Sequence, residues 1–579
     1  MPSKKATPSR PHARAAGANK WIVLSNTTLG ILAVTVNSSI LLISLPAVFR
    51  GISLDPLEPD NIAYLLWTIM GFLVATSVLV VAFGRLGDMY GRARMYNLGF
   101  AIFTVASVAL SLLPGKGGDA ALYLIVVRVI QGVGGALIMA NATALLADAF
   151  PVDQRGLALG INTIAAIGGS FLGLLIGGLL ADVNWRLVFW INVPIGLFGT
   201  AWSYWRLHDR RGAHEARVDW PGNLTFAAGL VLVLTAITYG IQPYGQKVMA
   251  WTSPLVVALF GMGVATLIGF VLVERRVAAP MFNLRLLRIR PFVWGNLASL
   301  LAAIARGGLQ FMLVIWLQGI WLPLHGYSFE ETPLWSAIFM LPLTLGFLLA
   351  GPLSGWLSDH FGARPFATGG MIIGAASFVA LLSLPADFRY FGFALWLFLN
   401  GLGSGLFSAP NSVQIMNAVP ARERGQASGM RATTMNAGMV LSIGIFFSLM
   451  IAGLAHSLPE AMQSQLLARH VPVEIAHRIA AAPPVASIFA AFLGYNPMGQ
   501  LIPAAVLHAL PAADAAAITG KQFFPRLLSG PFMDGITLAF GFAALLYLLS
   551  ALASWLGGGR YVHIEEDQLE ARESRAAAE

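Results

Sequence analysis

Pro151-Val-Asp-Gln-Arg155-Gly156-Leu-Ala-Leu-Gly160 and Pro420-Ala-Arg-Glu-Arg424-Gly425-Gln-Ala-Ser-Gly429 are one loop written twice. Arg155 and Arg424 stand 269 residues apart, and the flanking proline, glycines and alanine keep that offset. A second loop recurs at nearly the same spacing: Gly84-Arg-Leu-Gly-Asp88-Met-Tyr-Gly91 returns as Gly355-Trp-Leu-Ser-Asp359-His-Phe-Gly362. Two separate loops repeated at one spacing point to duplication of a whole structural unit.

The sequence between the loops shows what kind of unit it is. The 579 residues are 57% hydrophobic and only 11% charged, with a mean hydropathy of +0.72. A soluble chain carries about 25% charged residues to cover its water-facing surface. Runs of roughly 20 apolar residues, the length that crosses about 30 Å of hydrocarbon, recur along nearly the whole chain. Fourteen such spans begin near Trp21, Ile62, Tyr96, Ala121, Leu157, Leu187, Asn223, Pro254, Pro291, Leu334, Phe366, Tyr390, Gly425 and Asp534. The predicted fold class is an all-α polytopic membrane protein: two pseudo-symmetric six-helix bundles with a helix pair inserted between them. Parallel repeats of this kind build alternating-access transporters, with the substrate site at the repeat interface.

Lysine and arginine concentrate in alternate loops, at Arg85, Arg92, Arg94, Arg210, Arg211, Arg217, Arg275, Arg276, Arg288 and Arg290. The opposite loops hold few, at Arg50, Lys116, Arg186, Lys247 and Arg389. This asymmetry orients the first set toward the cytoplasm. The expected layout is a cytoplasmic tail at 1–20, an N-terminal bundle at 21–207 and the inserted pair with its linkers at 208–290. A C-terminal bundle at 291–556 and a cytoplasmic tail at 557–579 complete it. The C-terminal bundle includes a long extracytoplasmic segment, 456–533, expected to form a small helical cap, with partner docking or substrate handling as the alternative. Although the pI is near 9.9, the basic residues sit in short loops between apolar runs, a membrane-orientation signal and not a nucleic-acid surface.

The Gly84, Asp88, Gly91, Arg92 loop resembles the signature between helices 2 and 3 of the major facilitator superfamily, and it repeats at Gly355, Asp359, Gly362 and Arg364. Glycines allow a tight turn between two helices, and Asp88 can pair with Arg92 to form a latch that opens and closes the inner face. Arg128, Gln131, Gly132 and Gly134 resemble the superfamily's second motif, and Gly169, Gly173, Gly177 and Gly178 its antiporter motif, with Leu174 where proline is usual. The runs Trp185 to Gly196, Asp219 to Gly222 and Trp316 to Ser328 are similar to the fourteen-helix drug:proton antiporter branch. The resemblance implies a bacterial cytoplasmic-membrane exporter of drugs or other amphipathic small molecules, with protons as the coupling ion.

One departure alters that expectation. The first span of such antiporters carries an acid about nine positions before a Leu-Pro pair; here the pair is Leu45-Pro46 and the position is Asn37. Glu274 and the other acids lie at helix ends, so the deep ionisable groups are Arg128 and Arg306, with Arg431 nearer the cytoplasm. Asn37, Arg128, Gln131 and Arg306 are the expected substrate cavity. The repeat puts Asn37 and Arg306 in equivalent places, 269 residues apart. A cavity with arginines and no carboxylate has positive potential and favours neutral or anionic amphiphiles. Proton coupling then falls to helix-end acids such as Asp88, Asp148 or Asp359.

Other functional classes lack their chemistry. The chain has no cysteine and no HExxH, DDxxD-like pair or nucleophile beside a base, so neither a metal, a cofactor nor an enzymatic reaction is expected. The phosphate-cradling loop of an ATP-driven pump is also missing. Direction is not written in the repeats, and carriage of lipids, anionic metabolites or nutrients is the alternative within transport.

Overall fold

A computed structural model of the chain describes residues 20–55, 58, 61–151, 154–207, 219–245, 247–277, 280, 282–420 and 423–557. The two tails lie outside the described residues except for Lys20 and Gly557.

Hydrocarbon offers no partner to a backbone N–H or C=O, so each span must satisfy its own. Helices are the outcome. The first half contains α1 (Lys20–Gly51), α2 (Asn61–Tyr90), α3 (Arg92–Ser111), α4 (Gly117–Ala149), α5 (Arg155–Val183) and α6 (Leu187–Arg206). The inserted pair is α7 (Trp220–Gly240) and α8 (Pro254–Glu274). The second half begins with α9 (Arg290–Leu324), α10 (Thr332–Ser358), α11 (Ala363–Leu382), α12 (Tyr390–Asn417) and α13 (Arg424–Leu467). Short outer helices follow: α14 (Val473–Ala480), α15 (Pro484–Phe492), α16 (Met498–Leu501), α17 (Ala504–Ala509) and α18 (Ala512–Thr519). The last span is α19 (Phe523–Gly557). Among the described residues, 14 helices are long and apolar enough to cross a membrane.

The final span starts at Phe523, a few turns before the expected Asp534, because α19 runs through Pro531 without breaking. It has 35 residues and α13 has 44. At about 1.5 Å per residue both outrun the bilayer, and their projecting ends carry α14 to α18.

Within each half the helices touch through small residues, as expected where no hydrophobic force draws them together. A Cβ on Gly134 would meet the Gly99 carbonyl oxygen at 2.8 Å, and Gly403 and Gly370 oppose each other in the same way in the second half. The repeated loop turns also match: Gly91 has φ of 103° and Gly362 has φ of 88°, a region that side chains with a Cβ rarely enter.

The halves meet along two seams. One brings α2 against α13, with α7 packed beside both. The other brings α5 against α10. Helix α8 lies outermost, with Leu255, Val257, Ile268 and Leu272 exposed, an apolar face suited to lipid.

Candidate functional site

The structure separates residues that the sequence reading grouped. Asn37, Arg128 and Gln131 form one network inside the first half, with exposures of 1%, 1% and 0%. Arg128 Nη1 donates to Gln131 Oε1 at 2.7 Å, and its guanidinium lies 4.5 Å from the Phe72 ring centroid. Gln131 Nε2 donates to Ser107 Oγ at 2.8 Å. Asn37 Nδ2 donates to Gln131 Oε1 at 3.2 Å, and Asn192 Nδ2 to Asn37 Oδ1 at 3.2 Å. Five helices, α1, α2, α3, α4 and α6, meet at this point. A guanidinium in a dry bundle needs acceptors, and Gln131 one helical turn away supplies one. Burial by those five helices is why these three residues line no open cavity.

The second half repeats part of this network. Asn400 Nδ2 donates to Ser377 Oγ at 2.8 Å, in the positions that correspond to Gln131 and Ser107. Leu397 stands where the first half has Arg128, and Arg306 where it has Asn37. Arg306 is partly exposed although it sits in the middle of α9. Its guanidinium lies 4.4 Å from the Phe347 ring centroid on α10 and within electrostatic range of Tyr547 on α19. Tyr547 hydroxyl and Ser404 Oγ are 3.0 Å apart. Arg431 on α13 is also partly exposed. Among the described residues no carboxylate pairs with Arg306 or Arg431. Phe347, Tyr547, Ser107, Asn192 and Phe72 were not foreseen; Ser107 and Ser377 could have been found by aligning the halves.

At the end of the bundle that carries the repeated loops, Arg92 holds two acids. Its Nε donates to Asp88 Oδ1 at 2.8 Å and its Nη1 to Asp148 Oδ1 at 2.7 Å. In the second half Arg364 instead lies 3.7 Å from the Trp555 ring centroid; the side chain of Asp359 is outside the described residues. Gly84 and Gly355 have open space around them. Across the seam Ser77 Oγ donates to the Thr433 carbonyl at 3.4 Å.

The antiporter-motif glycines face α1 and α10. A Cβ on Gly173 would come within 3.0 Å of Val36 Cα, one on Gly177 within 2.7 Å of the Ile40 carbonyl oxygen, and one on Gly178 within 2.6 Å of Leu334 Cα. Gly169 lies against Leu32 and Thr35 on the same face of α1. Gly178 therefore touches the opposite half, and the other three stay within their own.

The opposite end of the interface is filled. All nine residues of α15 are buried, and α14 and α15 meet at 84°. Phe489 packs edge-on against Phe49 of α1, with centroids 6.2 Å apart. Arg50 Nη1 donates to the Leu493 carbonyl at 3.3 Å. On the other side a Cβ at Gly319 of α9 would sit 3.5 Å from Phe492 N. Gln318, in a π-helical stretch of α9, donates to the Ile43 carbonyl of α1 at 3.0 Å. The outer segment thus includes an apolar wedge between the halves.

The profile of the Major Facilitator Superfamily matches residues 27–443. The chain is 28% identical over 474 residues to the tetracenomycin C resistance and export protein of Streptomyces glaucescens, covering 81% of this chain and 84% of that one. It is 26% identical over 557 residues to the multidrug resistance protein Stp of Mycobacterium tuberculosis, covering 95% and 94%. It is also 28% identical over 444 residues to the riboflavin transporter RibZ of Clostridioides difficile, covering 76% and 90%. Among solved structures, a bacterial homolog of the human lysosomal transporter Spinster aligns with 94% of this chain and 99% of its own at 15% identity and a TM-score of 0.55. A D-xylose-proton symporter aligns with 82% and 97% at 14% identity and a TM-score of 0.51. The duplicated halves, the fourteen apolar spans and these matches agree: the chain belongs to the Major Facilitator Superfamily, in the fourteen-helix branch that includes drug exporters.

Proposed function

We propose that this transporter exports amphipathic small molecules across a bacterial cytoplasmic membrane by alternating access, with neutral and anionic solutes favoured. The observation that carries the reading is Arg306: a guanidinium midway along α9, partly exposed, set over an aromatic ring and without a carboxylate among the described residues. In a low-dielectric interior a positive charge without a carboxylate partner attracts anions and repels cations. Phe347 and Tyr547 supply the apolar wall that an amphiphile needs. The Asn37–Arg128–Gln131 network is the rigid wall behind it, not a contact surface.

In this reading the halves rock about the α2/α13 and α5/α10 seams. The Arg92 cluster and the Arg364 loop open and close the inner face, the antiporter glycines let α5 slide on α1 and α10, and α15 closes the outer mouth. Both tails are cytoplasmic. The protein is a carrier and not an enzyme, it uses no ATP, and protons are the coupling ion although Asn37 carries none. The export in the name of the tetracenomycin C relative supports the direction. The test is a bacterial strain expressing the protein beside one with empty vector, grown on matched anionic, neutral and cationic toxic amphiphiles. Protection against the anionic and neutral members is expected. Protection confined to the cationic members would refute the selectivity, and sensitisation throughout would refute export.

A further inference from the structure

The inserted helix pair, which the alternating-access reading leaves without a role, holds two buried acids face to face. Asp219 caps α7: its Oδ1 accepts the Gly222 N–H at 2.8 Å, and the residue is 2% exposed. Glu274 ends α8 and is 3% exposed. Its Oε2 accepts the Phe282 N–H at 3.0 Å. Its Oε1 has no N–H or hydroxyl donor among the described residues, and it faces the Asp219 carboxyl across Gly222. The two groups converge over bare Gly222, where an added Cβ would lie 2.7 Å from both Asp219 Cγ and Glu274 Oε1. Phe226, Phe270 and Phe282, with ring centroids 5.3 to 6.1 Å apart, form a mutual aromatic cluster around the same helix ends.

Two carboxylates this close offer only acceptors and repel each other, so burial of the pair favours a proton on one of them. Among the described residues one cation stands opposite. Arg85 of α2 interacts electrostatically with Asp219, Glu274 and Asp88, and donates to the Pro280 carbonyl in the linker after α8. Asp88, one turn on, belongs to the Arg92 cluster. Arg275 and Arg276 are exposed, and α13 meets α7 through apolar Gly444 and Ile237. With one proton bound, Arg85 balances a single negative charge. With the proton lost, it faces two.

We propose that Asp219 and Glu274 form a one-proton site in the inserted helix pair, and that Arg85 transmits its occupancy to the inner-face loop between α2 and α3. This gives the inserted pair a task and supplies the titratable group that Asn37 cannot. The binding part is independent of which solute is carried.

The first test needs no substrate. Purified protein in lipid vesicles is titrated by pH-difference infrared spectroscopy, which reads the C=O stretch of protonated carboxyl groups. A titrating band is expected that is lost in both Glu274→Gln and Asp219→Asn and retained in Asp148→Asn. The second test exploits the absence of native cysteine. A Val81→Cys, Gly429→Cys pair, on neighbouring sites of α2 and α13, reports closure of the inner seam by its cross-linking rate. Corrected for the thiols' own ionisation, that rate is expected to vary with pH in the otherwise native chain and to be flat in Glu274→Gln, Asp219→Asn and Arg85→Gln, with the infrared band surviving in Arg85→Gln. A titrating band that persists in both acid variants would overturn the site. Cross-linking whose pH dependence survives in all three would overturn the transmission. Either result leaves the proposed solute selectivity standing, because neither measurement involves a solute.

Discussion

The two halves share a hydrogen bond, Gln131 to Ser107 in one and Asn400 to Ser377 in the other, each at 2.8 Å. They differ in where each places its guanidinium. The first half puts Arg128 beside that bond and seals it at 1% exposure among five helices. The second has Leu397 there and puts Arg306 at the position of Asn37, partly open over Phe347. The same residue type, equally deep by sequence, is sealed in a hydrogen-bond network in one half and partly exposed in the other. An intramembrane arginine marks a special site, but its acceptors decide whether that site is a wall or a contact.

The comparison can be broken in several ways, beginning with the largest effect. If the halves move as separate bodies, locking them together stops transport entirely. A Phe49→Cys, Phe489→Cys pair joins α1 to α15 in a chain with no other cysteine. Oxidation is expected to abolish uptake into inverted vesicles and reduction to restore it; full transport by the oxidised form would remove α15 from the gating account.

Next comes Arg128→Leu, which gives the first half the residue of the second. It removes the charged hydrogen bonds from Arg128 to Gln131 and to the Thr68 carbonyl, leaving Gln131 with Asn37 and Ser107, an expected loss of about 2 kcal/mol. Thermal unfolding in detergent reads it, and Arg306→Gln is expected to cost about 1 kcal/mol or less by the same measure. Equal losses would erase the distinction between the two sites.

A smaller effect separates the glycines. Gly178→Ala presses on Leu334 of the opposite half, whereas Gly173→Ala presses on Val36 and Ser39 of its own. Each is expected to cost roughly 1 kcal/mol from overpacking. Only Gly178→Ala should also slow the oxidation of the Phe49→Cys, Phe489→Cys pair, because only it strains the seam.

The least effect lies in the outer segment. Hydrogen bonds from His470 and Arg469 hold the Asp514 carboxyl below its ordinary value of 3.8. A lowered acid contributes stability that is present in full above about pH 4 and is lost as pH falls through the lowered value. Asp514→Asn removes that contribution at neutral pH. Limited proteolysis of 468–522 is expected to quicken slightly in the variant at pH 7 and to match the unaltered chain at pH 2.

The spans and the duplication were legible because lipid imposes a rule on every segment: it must be apolar, helical and about 20 residues long. Arg128 and Gln131 could be linked because they lie one turn apart on one helix. Asn192 and Thr68 could not, since they lie on different helices and only packing brings them to Asn37 and Arg128. The wedge α15 was read as part of a cap on the surface; its apolar run is too short to be periodic, and burial on every side is a tertiary fact. Glu274 was set aside as a helix-end acid for a similar reason. Its meaning depends on Asp219, and 54 intervening residues hide their contact.

The account rests on Arg306 as a partly exposed charge midway along α9. The most direct test is uptake of 8-anilinonaphthalene-1-sulfonate and of ethidium into matched proteoliposomes containing the unaltered chain or Arg306→Gln. The account predicts uptake of the anion but little of the cation by the unaltered chain, and a loss of anion affinity of about tenfold in the variant, or 1.4 kcal/mol. Strong ethidium uptake that Arg306→Gln leaves unchanged, with no uptake of the anion by either protein, would contradict it.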